Sequence, residues 1–244
     1  MLLRRISEHV KSQNWFAVCI DLLVVIFGVY AGLQVSAWNE EQQDRVEEIE
    51  YLERILADLD DNISTQQASD SFQKNTIDNA DWLIVVLDRG IIPQDQEQLF
   101  GQRLYELGRT NPLRYRNITL NEMISAGKLG LIQDTKLRSS IGNLAYVGPQ
   151  FQNLANKPEL QNAQAITHTL KYVNRVPNTD GSYYYEYNER TIIGNPELRN
   201  AIFTSRNMSA AVWSFSQNFT EILINTRAEV QTGLNNLIGK NSED

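Results

Sequence analysis

The stretch FAVCIDLLVVIFGVYAGLQVSAWNEEQQDRVEEIEYLERILADLDDN, residues 16–62, decides the fold of this chain. Its first 22 residues, 16–37, are apolar except for Asp21, Gln34 and Ser36. A helix rises about 1.5 Å per residue, so a run of this length is long enough to cross a hydrocarbon core about 30 Å thick. Beyond it, apolar side chains recur in threes and fours among acidic residues. We therefore expect a transmembrane helix that continues into an amphipathic helix.

Aromatic and charged residues around the apolar run predict its orientation. Trp15 and Trp38 bracket the run, which suits the two aromatic belts of a bilayer. The residues before Trp15 are basic overall, whereas those that follow Trp38 are acidic. Because positively charged flanks stay in the cytoplasm, we expect a cytoplasmic tail at 1–14, a transmembrane helix at 15–38 and an extracytoplasmic domain at 39–244.

A cleaved signal peptide is the alternative interpretation of the same run. Val35, Ser36 and Ala37 fit a small-residue cleavage site. However, the run exceeds the roughly 7–15 residues of a signal-peptide core, and Asp21 interrupts it. The pattern favours a retained anchor and leaves cleavage as the open alternative.

One face of the apolar run combines a carboxylate with small residues. At about 100° per residue, Gly28 and Gly32 each fall within roughly 20° of Asp21 around the helix, and Ser36 continues the series. Small residues at this spacing let helices approach closely, and an intramembrane carboxylate usually faces protein or water. The face predicts an interface with a second copy or with a partner membrane protein. An aspartate solvated from the headgroups, beside a chance glycine spacing, is the alternative.

Asp21 also raises a sharper hypothesis, which is coupling to a proton or ion. Stator and other energy-transducing subunits similarly combine a basic N-terminus, one span with an aspartate and an external domain. Such a carboxylate usually needs a partner span, so a subunit of an ion-coupled membrane complex is an alternative function.

The residues after the span predict helices with few strands. We expect the amphipathic helix to end near Gln67, a second helix at 71–87 and a third at 94–107, ending at Gly108. Two short helices follow within 119–146.

Local signals set some of the expected helix ends. Thr119 and Glu122 have the spacing of a capping box, and Asp134 is an N-cap candidate for the second short helix. More helix is expected over 151–173, broken or shortened by Pro158.

The last long helix is predicted to start at Asn195-Pro196-Glu197 and to run to Ile238. About 40 residues of helix would be roughly 60 Å long and would pair antiparallel with the helix that leaves the membrane. The expected fold class is all-α: a transmembrane helix continuing into an elongated extracytoplasmic helical bundle with two long antiparallel helices.

A small β-hairpin is the one expected exception. Asn178-Thr-Asp-Gly181 is the clearest turn in the chain, and an aromatic segment follows it. Its tyrosines are candidates for a partner surface: Tyr183, Tyr184, Tyr185 and Tyr187. The alternative is that these rings cover a core edge with their polar tips in water.

Composition argues against several functional classes. The formal net charge of −8 lacks the basic patch of a nucleic-acid binder. One cysteine leaves no intramolecular disulfide, and two histidines exclude most zinc chemistry. No nucleophile elbow, metalloprotease helix or dinucleotide-binding motif is present. We expect no catalytic residues, no cofactor and no metal, and a chain that is not an enzyme.

The motifs of residues 21–62 resemble those of a family of uncharacterised bacterial single-span membrane proteins. In that family an acidic residue, an apolar "LVVIGIL" run, "ALQINNWNE" and "EYLxxLxxDL" follow in order. Here Asp21 stands where the family often has Glu, Trp38-Asn39-Glu40 falls in the middle motif, and Glu50-Tyr51-Leu52 begins the last. Residues 122–138 are similar to a central "SGxLxLI…LR" segment, and together the motifs cover about a quarter of the chain.

The resemblance implies a retained anchor in a bacterial inner membrane, with the N-terminus cytoplasmic and the domain periplasmic, and it implies no activity. We expect a membrane-anchored interaction or scaffold protein that assembles through its transmembrane helix and its periplasmic domain. The first alternative is a periplasmic sensor or ligand-binding module that signals through a partner membrane protein.

Overall fold

The computed structural model of the chain describes residues 15–107, 109, 111 and 114–241. The expected cytoplasmic tail, residues 1–14, lies outside the described residues, and so does Gly108, the expected end of the third helix. The described elements are helices α1 (Trp15–Arg89), α2 (Glu97–Glu106), α3 (Ile118–Ser125), α4 (Thr135–Thr169), α5 (Glu189–Ile192) and α6 (Pro196–Asn241), strands β1 (Val173–Pro177) and β2 (Tyr183–Tyr187), and 3-10 turns at Gln94–Gln96 and Lys128–Leu131.

The chain divides into two compact units. The first is Met1–Glu50, whose described part is the beginning of α1, and the second is Tyr51–Asp244. The second unit is mostly helical with one two-stranded sheet, so the all-α class is confirmed together with the small hairpin.

Helix α1 is unbroken from Trp15 to Arg89, whereas the sequence pattern predicts that one helix ends and another begins within this range. The predicted gap between Gln67 and Ser71 is wrong. Ser69, Asp70 and Ser71 are modest helix formers, but no glycine or proline lies among them, and Ser69 is buried by tertiary packing. The helix ends at Arg89, two residues beyond the predicted end at 87, and is followed by Gly90, whose φ of 73° suits glycine.

Buried positions on α1 and α6 alternate in steps of three and four residues, the spacing of coiled-coil packing. On α1 they are Leu52, Ile55, Leu59, Asn62, Gln66, Ser69, Gln73, Thr76, Ala80, Leu83 and Leu87. On α6 they are Leu198, Ile202, Ser205, Ser209, Val212, Ser216, Phe219, Leu223, Thr226 and Val230. Within the second unit the two helices therefore pack along a continuous seam.

Ion pairs show that α1 and α6 run antiparallel, as predicted. Each of three arginines binds both carboxylate oxygens of an aspartate: Arg199 with Asp88, Arg206 with Asp81, and Arg227 with Asp60. The spacing between successive pairs is the same on both helices, first 7 and then 21 residues. A constant spacing in opposite directions fixes one register over 28 residues, or about 42 Å.

Helix α4 packs against α6, also antiparallel. The Phe151 ring stacks on Phe219 with centroids 4.1 Å apart. Leu137 lies fourteen residues before Phe151 on α4, and Gly233 lies fourteen residues after Phe219 on α6. A Cβ added at Gly233 would be 2.6 Å from the Cδ2 of Leu137. Glycine therefore lets these helix ends approach closely.

The prediction that Pro158 breaks the helix is wrong, because α4 continues through it and through Pro149. Each proline removes a backbone hydrogen bond and crowds the preceding turn, at a cost of about 3 kcal/mol. The long contact of α4 with α6 explains why the helix persists across both sites.

The predicted capping box at Thr119 and Glu122 is also wrong. Helix α3 starts at Ile118, one residue earlier, so Thr119 lies inside it. The Thr119 N–H donates to Asp58 of α1 at 3.1 Å, and Arg54 of α1 donates to Glu122. Tertiary partners thus take both groups that the box would use. Asp134, by contrast, caps α4 as predicted, accepting two backbone N–H groups.

Apolar residues collect at the two ends of the second unit. The hairpin end holds one core: Ala80, Leu83, Val86, Leu87, Ile92, Phe100, Leu104, Leu107, Val173, Ile192, Leu198 and Ile202. Buried apolar residues on the other side of the polar positions form a second group: Leu52, Ile55, Leu59, Leu120, Met123, Ile132, Leu137, Ile141, Leu144, Phe151, Phe219, Leu223 and Val230. The middle of the α1–α6 seam separates them.

Candidate functional site

The apolar part of α1 is exposed in the single chain at every position whose burial the structure describes, residue 16 and residues 19–37. Among the described residues, α1 is the one helix long and apolar enough to cross a membrane, judged by length and composition. Large apolar side chains in this part of α1 are unusually exposed to solvent, with Phe27 at 75% and Leu33 at 64% exposure. Such a surface is stable only against lipid or another apolar protein surface.

The predicted interface residues all lie on this exposed helix. Asp21, Gly28, Gly32 and Ser36 are each exposed. A Cβ added to either glycine would meet no atom within 4 Å, so the described chain supplies nothing that covers this face. The predicted membrane-interface face is therefore present as a helix surface, and its occupant remains a prediction.

The hairpin tyrosines divide between the two faces of the sheet. The strands pair Val173 with Tyr187 and Pro177 with Tyr183, so odd-numbered residues share one face. On that face Tyr187 packs on Phe100 of α2, with centroids 5.2 Å apart. Tyr185 packs in the same way on Tyr105 of α2, at 5.8 Å.

Two hairpin tyrosines are less involved in the core. Tyr183 is 49% exposed, and the Arg175 guanidinium lies 3.5 Å from its ring centroid. Tyr184 projects from the opposite face, where neighbouring Glu186 raises its pKa. The four residues therefore do not form one surface: Tyr185 and Tyr187 cover a core edge, and Tyr183 and Tyr184 are the accessible pair.

An open groove of about 430 Å³ lies beside the hairpin, lined by Glu97, Gln98, Tyr185, Glu186, Tyr187 and Glu189. The Gln98 side chain accepts a hydrogen bond from the Tyr185 N–H at 2.9 Å and donates one to the Tyr185 carbonyl at 3.3 Å. This amide closes the outer edge of β2 at its centre. Burial, reinforced by the charges of Glu97 and Glu189, raises the pKa of Tyr187 to about 12. The described residues contain no cluster of His, Cys, Asp and Glu placed to hold a metal ion.

The feature that sequence reasoning missed lies between the two apolar groups. Six polar side chains occupy buried seam positions there, and we call them the central polar layer: Ser69, Gln73 and Thr76 of α1, and Ser205, Ser209 and Ser216 of α6. All six are at most 4% exposed. The signal was present in the sequence, as polar residues at core spacing, but helical spacing alone does not distinguish the buried from the exposed face.

Several hydroxyls in this region are unsatisfied. The Oγ atoms of Ser69, Ser205 and Ser209 and the Oγ1 of Thr220 are buried without a hydrogen-bond partner among the described residues. Not every hydroxyl of the layer is unsatisfied, because the Ser216 hydroxyl donates a hydrogen bond to Gln66 at 3.2 Å. A buried hydroxyl without a partner costs about 1–3 kcal/mol, so this layer weakens the α1–α6 pairing.

Asp70 sits at the edge of the central polar layer. Gln217 donates to its Oδ2 at 2.6 Å, while Oδ1 is buried without a partner among the described residues. Burial raises the pKa of Asp70, partly offset by the polar side chains of Ser216 and Gln217. The carboxylate is therefore held where its charge is disfavoured.

Comparison with known proteins adds no relative. No protein-family model, no curated protein and no solved structure matches the chain. The function has to be argued from the two features above, the exposed apolar helix and the bundle with its central polar layer.

Proposed function

We propose that this protein is a membrane-anchored interaction protein with a binding role rather than a catalytic one. The beginning of α1 anchors it in a bacterial inner membrane, with the N-terminus in the cytoplasm and the helical domain in the periplasm. The observation that carries the proposal is the exposed apolar run, because no described residue covers it and water is a poor solvent for it.

The same proposal assigns assembly to the face of Asp21, Gly28, Gly32 and Ser36. A second copy or a partner membrane protein packs there, since small residues permit close helix approach. Phe27 and Leu33, which lie away from this face, contact lipid. The accessible tyrosines, Tyr183 and Tyr184, offer a further contact for a partner in the periplasm.

Crosslinking of the intact protein in membranes tests the assembly face. Gly32→Leu should reduce the crosslinked species at least tenfold, because a bulky side chain separates the helices. Ala37→Leu is the matched control, since position 37 lies about 180° from Gly28 around the helix. Equal loss in both variants, or a wild-type protein that is a monomer without partners, would count against the proposal.

A reporter fused to the C-terminus tests the orientation. An enzyme that matures only in the periplasm should be active, and one that works only in the cytoplasm should be silent. The opposite result would overturn the orientation while leaving the membrane anchor intact, which carbonate extraction measures separately.

A periplasmic sensor is the second candidate, and the central polar layer favours it. Buried hydroxyls without partners leave unsatisfied hydrogen-bonding capacity inside a bundle, as expected of an interior that changes on binding. Native mass spectrometry of the protein purified intact from membranes should then detect a bound small molecule. A mass equal to that of the bare chain would remove this candidate.

Ion coupling through Asp21 stays a prediction from the sequence. Asp21→Asn leaves the size of the side chain nearly unchanged and removes its charge. Unchanged assembly and unchanged growth of the host would argue against any role for the carboxylate.

A further inference from the structure

The central polar layer differs in kind from the seam on either side of it. Toward the hairpin the seam contains Leu83 and Leu87 against Leu198 and Ile202, and the register brings these pairs to the same level. In the other direction Leu52 and Ile55 lie level with the residues around Leu234. Hydrophobic burial therefore stabilises both ends of the α1–α6 pair, whereas the middle buries hydroxyl and amide groups.

The three arginine–aspartate pairs between α1 and α6 form a ladder of ion pairs along the seam. This ladder prevents the two helices from sliding past each other. Asp60, Asp81 and Asp88 all meet their arginines only in one register, since a shift of seven residues would keep a single pair, Arg199 with Asp81 in one direction or Arg206 with Asp88 in the other. The helices are thus locked relative to each other at both ends. The movements that remain possible are separation or bending of α1 and α6 in the middle of the seam.

Residues beside the layer show which polar groups are satisfied. Asn62 bonds the backbone of Arg116 through both ends of its amide, and Gln66 donates to the Arg114 carbonyl at 3.2 Å. These two amides hold the segment before α3 against α1. The unpartnered hydroxyls begin directly beyond them, at Ser69 and at Thr220 of α6, and recur further along α6 at Ser209 and Ser205, which the register places level with residues 78 and 82 of α1.

We infer that the central polar layer is a hinge, a segment at which the bundle opens locally while both apolar ends stay packed. Local opening exposes the unpartnered hydroxyls to water, which offsets part of the cost of separating the helices. The two apolar ends lack this offset, so they open less often. The hairpin end can then change its angle to the other end of the second unit without unfolding either core. This inference concerns the second unit alone and does not depend on the proposed function.

Hydrogen exchange of the full-length protein in detergent, read by mass spectrometry, tests the hinge. Peptides over residues 69–76 and 209–216, which lie at the same level of the seam, should exchange at least about tenfold faster than peptides over 80–87 and 223–230. Exchange that is uniform along both helices, or slowest in the layer, would overturn the inference.

A triple variant tests the cause. Ser69→Ala, Ser205→Ala and Ser209→Ala together remove the three unpartnered hydroxyls of the layer and nearly preserve volume, so exchange in the layer should slow at least fivefold. The matched control replaces the exposed serines Ser64, Ser71 and Ser214 of the same helices with alanine. The hinge is wrong if both triple variants slow exchange in the layer equally, or if neither does. Helicity by circular dichroism confirms folding, and the wild-type profile stands as a test by itself.

Discussion

The Arg206 Nε lies 3.0 Å from Asp81 Oδ1, and its Nη2 reaches the second oxygen, so two residues 125 apart in sequence join α1 to α6 through a forked ion pair. The same geometry recurs at Arg199 with Asp88 and at Arg227 with Asp60. Between the pairs, the register brings Ile84 level with Phe203 and Ile63 level with Ile224. Apolar residues of the two helices therefore lie level with each other between the ion pairs.

Exchanging the charges of the ladder should test its role in register. Asp81→Arg alone should destabilise the fold, because it places like charges opposite each other. The double variant Asp81→Arg with Arg206→Asp should recover most of that loss. Since exposed pairs contribute only about 0.2–1 kcal/mol, the coupling free energy from thermal denaturation should fall in that range. Strictly additive single effects would show that the pair does not interact.

Gly101→Ala should loosen the hairpin from α2. A Cβ at position 101 would lie 2.5 Å from the Tyr185 Cβ, and that atom is fixed to the strand backbone. We expect a loss of about 1–3 kcal/mol and a changed near-ultraviolet spectrum of the packed tyrosines. Gly142→Ala is the matched control in α4, because its Cβ meets only Leu129, at 3.9 Å, and should be neutral or stabilising by up to about 1 kcal/mol. Equal destabilisation by both changes would mean that the hairpin contact is not the cause.

Asp70→Asn should stabilise the protein at neutral pH. The folded pKa of Asp70 is raised above its usual value of 3.8, so the folded state binds the proton more tightly than the unfolded state does. The wild type therefore gains stability from this group as pH falls through the folded pKa, and the gain is complete below about 3.8. The asparagine variant lacks this pH dependence.

Urea denaturation of wild type and Asp70→Asn between pH 4 and 8 measures this difference in the free energy of unfolding. The advantage of the variant should be largest at neutral pH and shrink on acidification. Asp78→Asn, at an exposed position of the same helix, is the control. An advantage that grows toward low pH would contradict the predicted sign.

Phe219→Ala should be among the most damaging single changes in the second unit. The ring is 1% exposed, stacks on Phe151 and meets Tyr115 edge-on with centroids 5.3 Å apart. Removing it leaves a cavity where α6 contacts α4, at a cost of about 3–5 kcal/mol. Phe203→Ala, half exposed on the same helix, should cost far less in the same thermal denaturation. Similar losses would mean that Phe219 is not a central core residue.

Local signals in the sequence were enough to predict the helical fold, the hairpin and the antiparallel pair. Asn195 shows why, because its side chain accepts the N–H groups of Glu197 and Leu198, within three residues of itself. Asp134 likewise caps α4 through N–H groups two and three residues away, and Gly90 follows the end of α1 with a positive φ that suits glycine. The break predicted near Gln67 was wrong because a few modest helix formers without glycine or proline do not interrupt a helix. The break predicted at Pro158 was wrong because packing on α6 stabilises α4 against its own weak propensity.

The candidate sites also differ in whether neighbouring residues or distant segments determine them. The residue order alone determined that 16–37 form one apolar helix with Asp21 and two glycines on one face, since hydrophobicity and a period of 3.6 residues are properties of neighbouring residues. Only the tertiary structure decided that Ser69, Ser205 and Ser209 are buried along the α1–α6 seam, and that Tyr185 packs inward while Tyr184 does not. Burial depends on which distant segment covers a side chain, and the register of α1 on α6 sets that through contacts more than 100 residues apart in sequence.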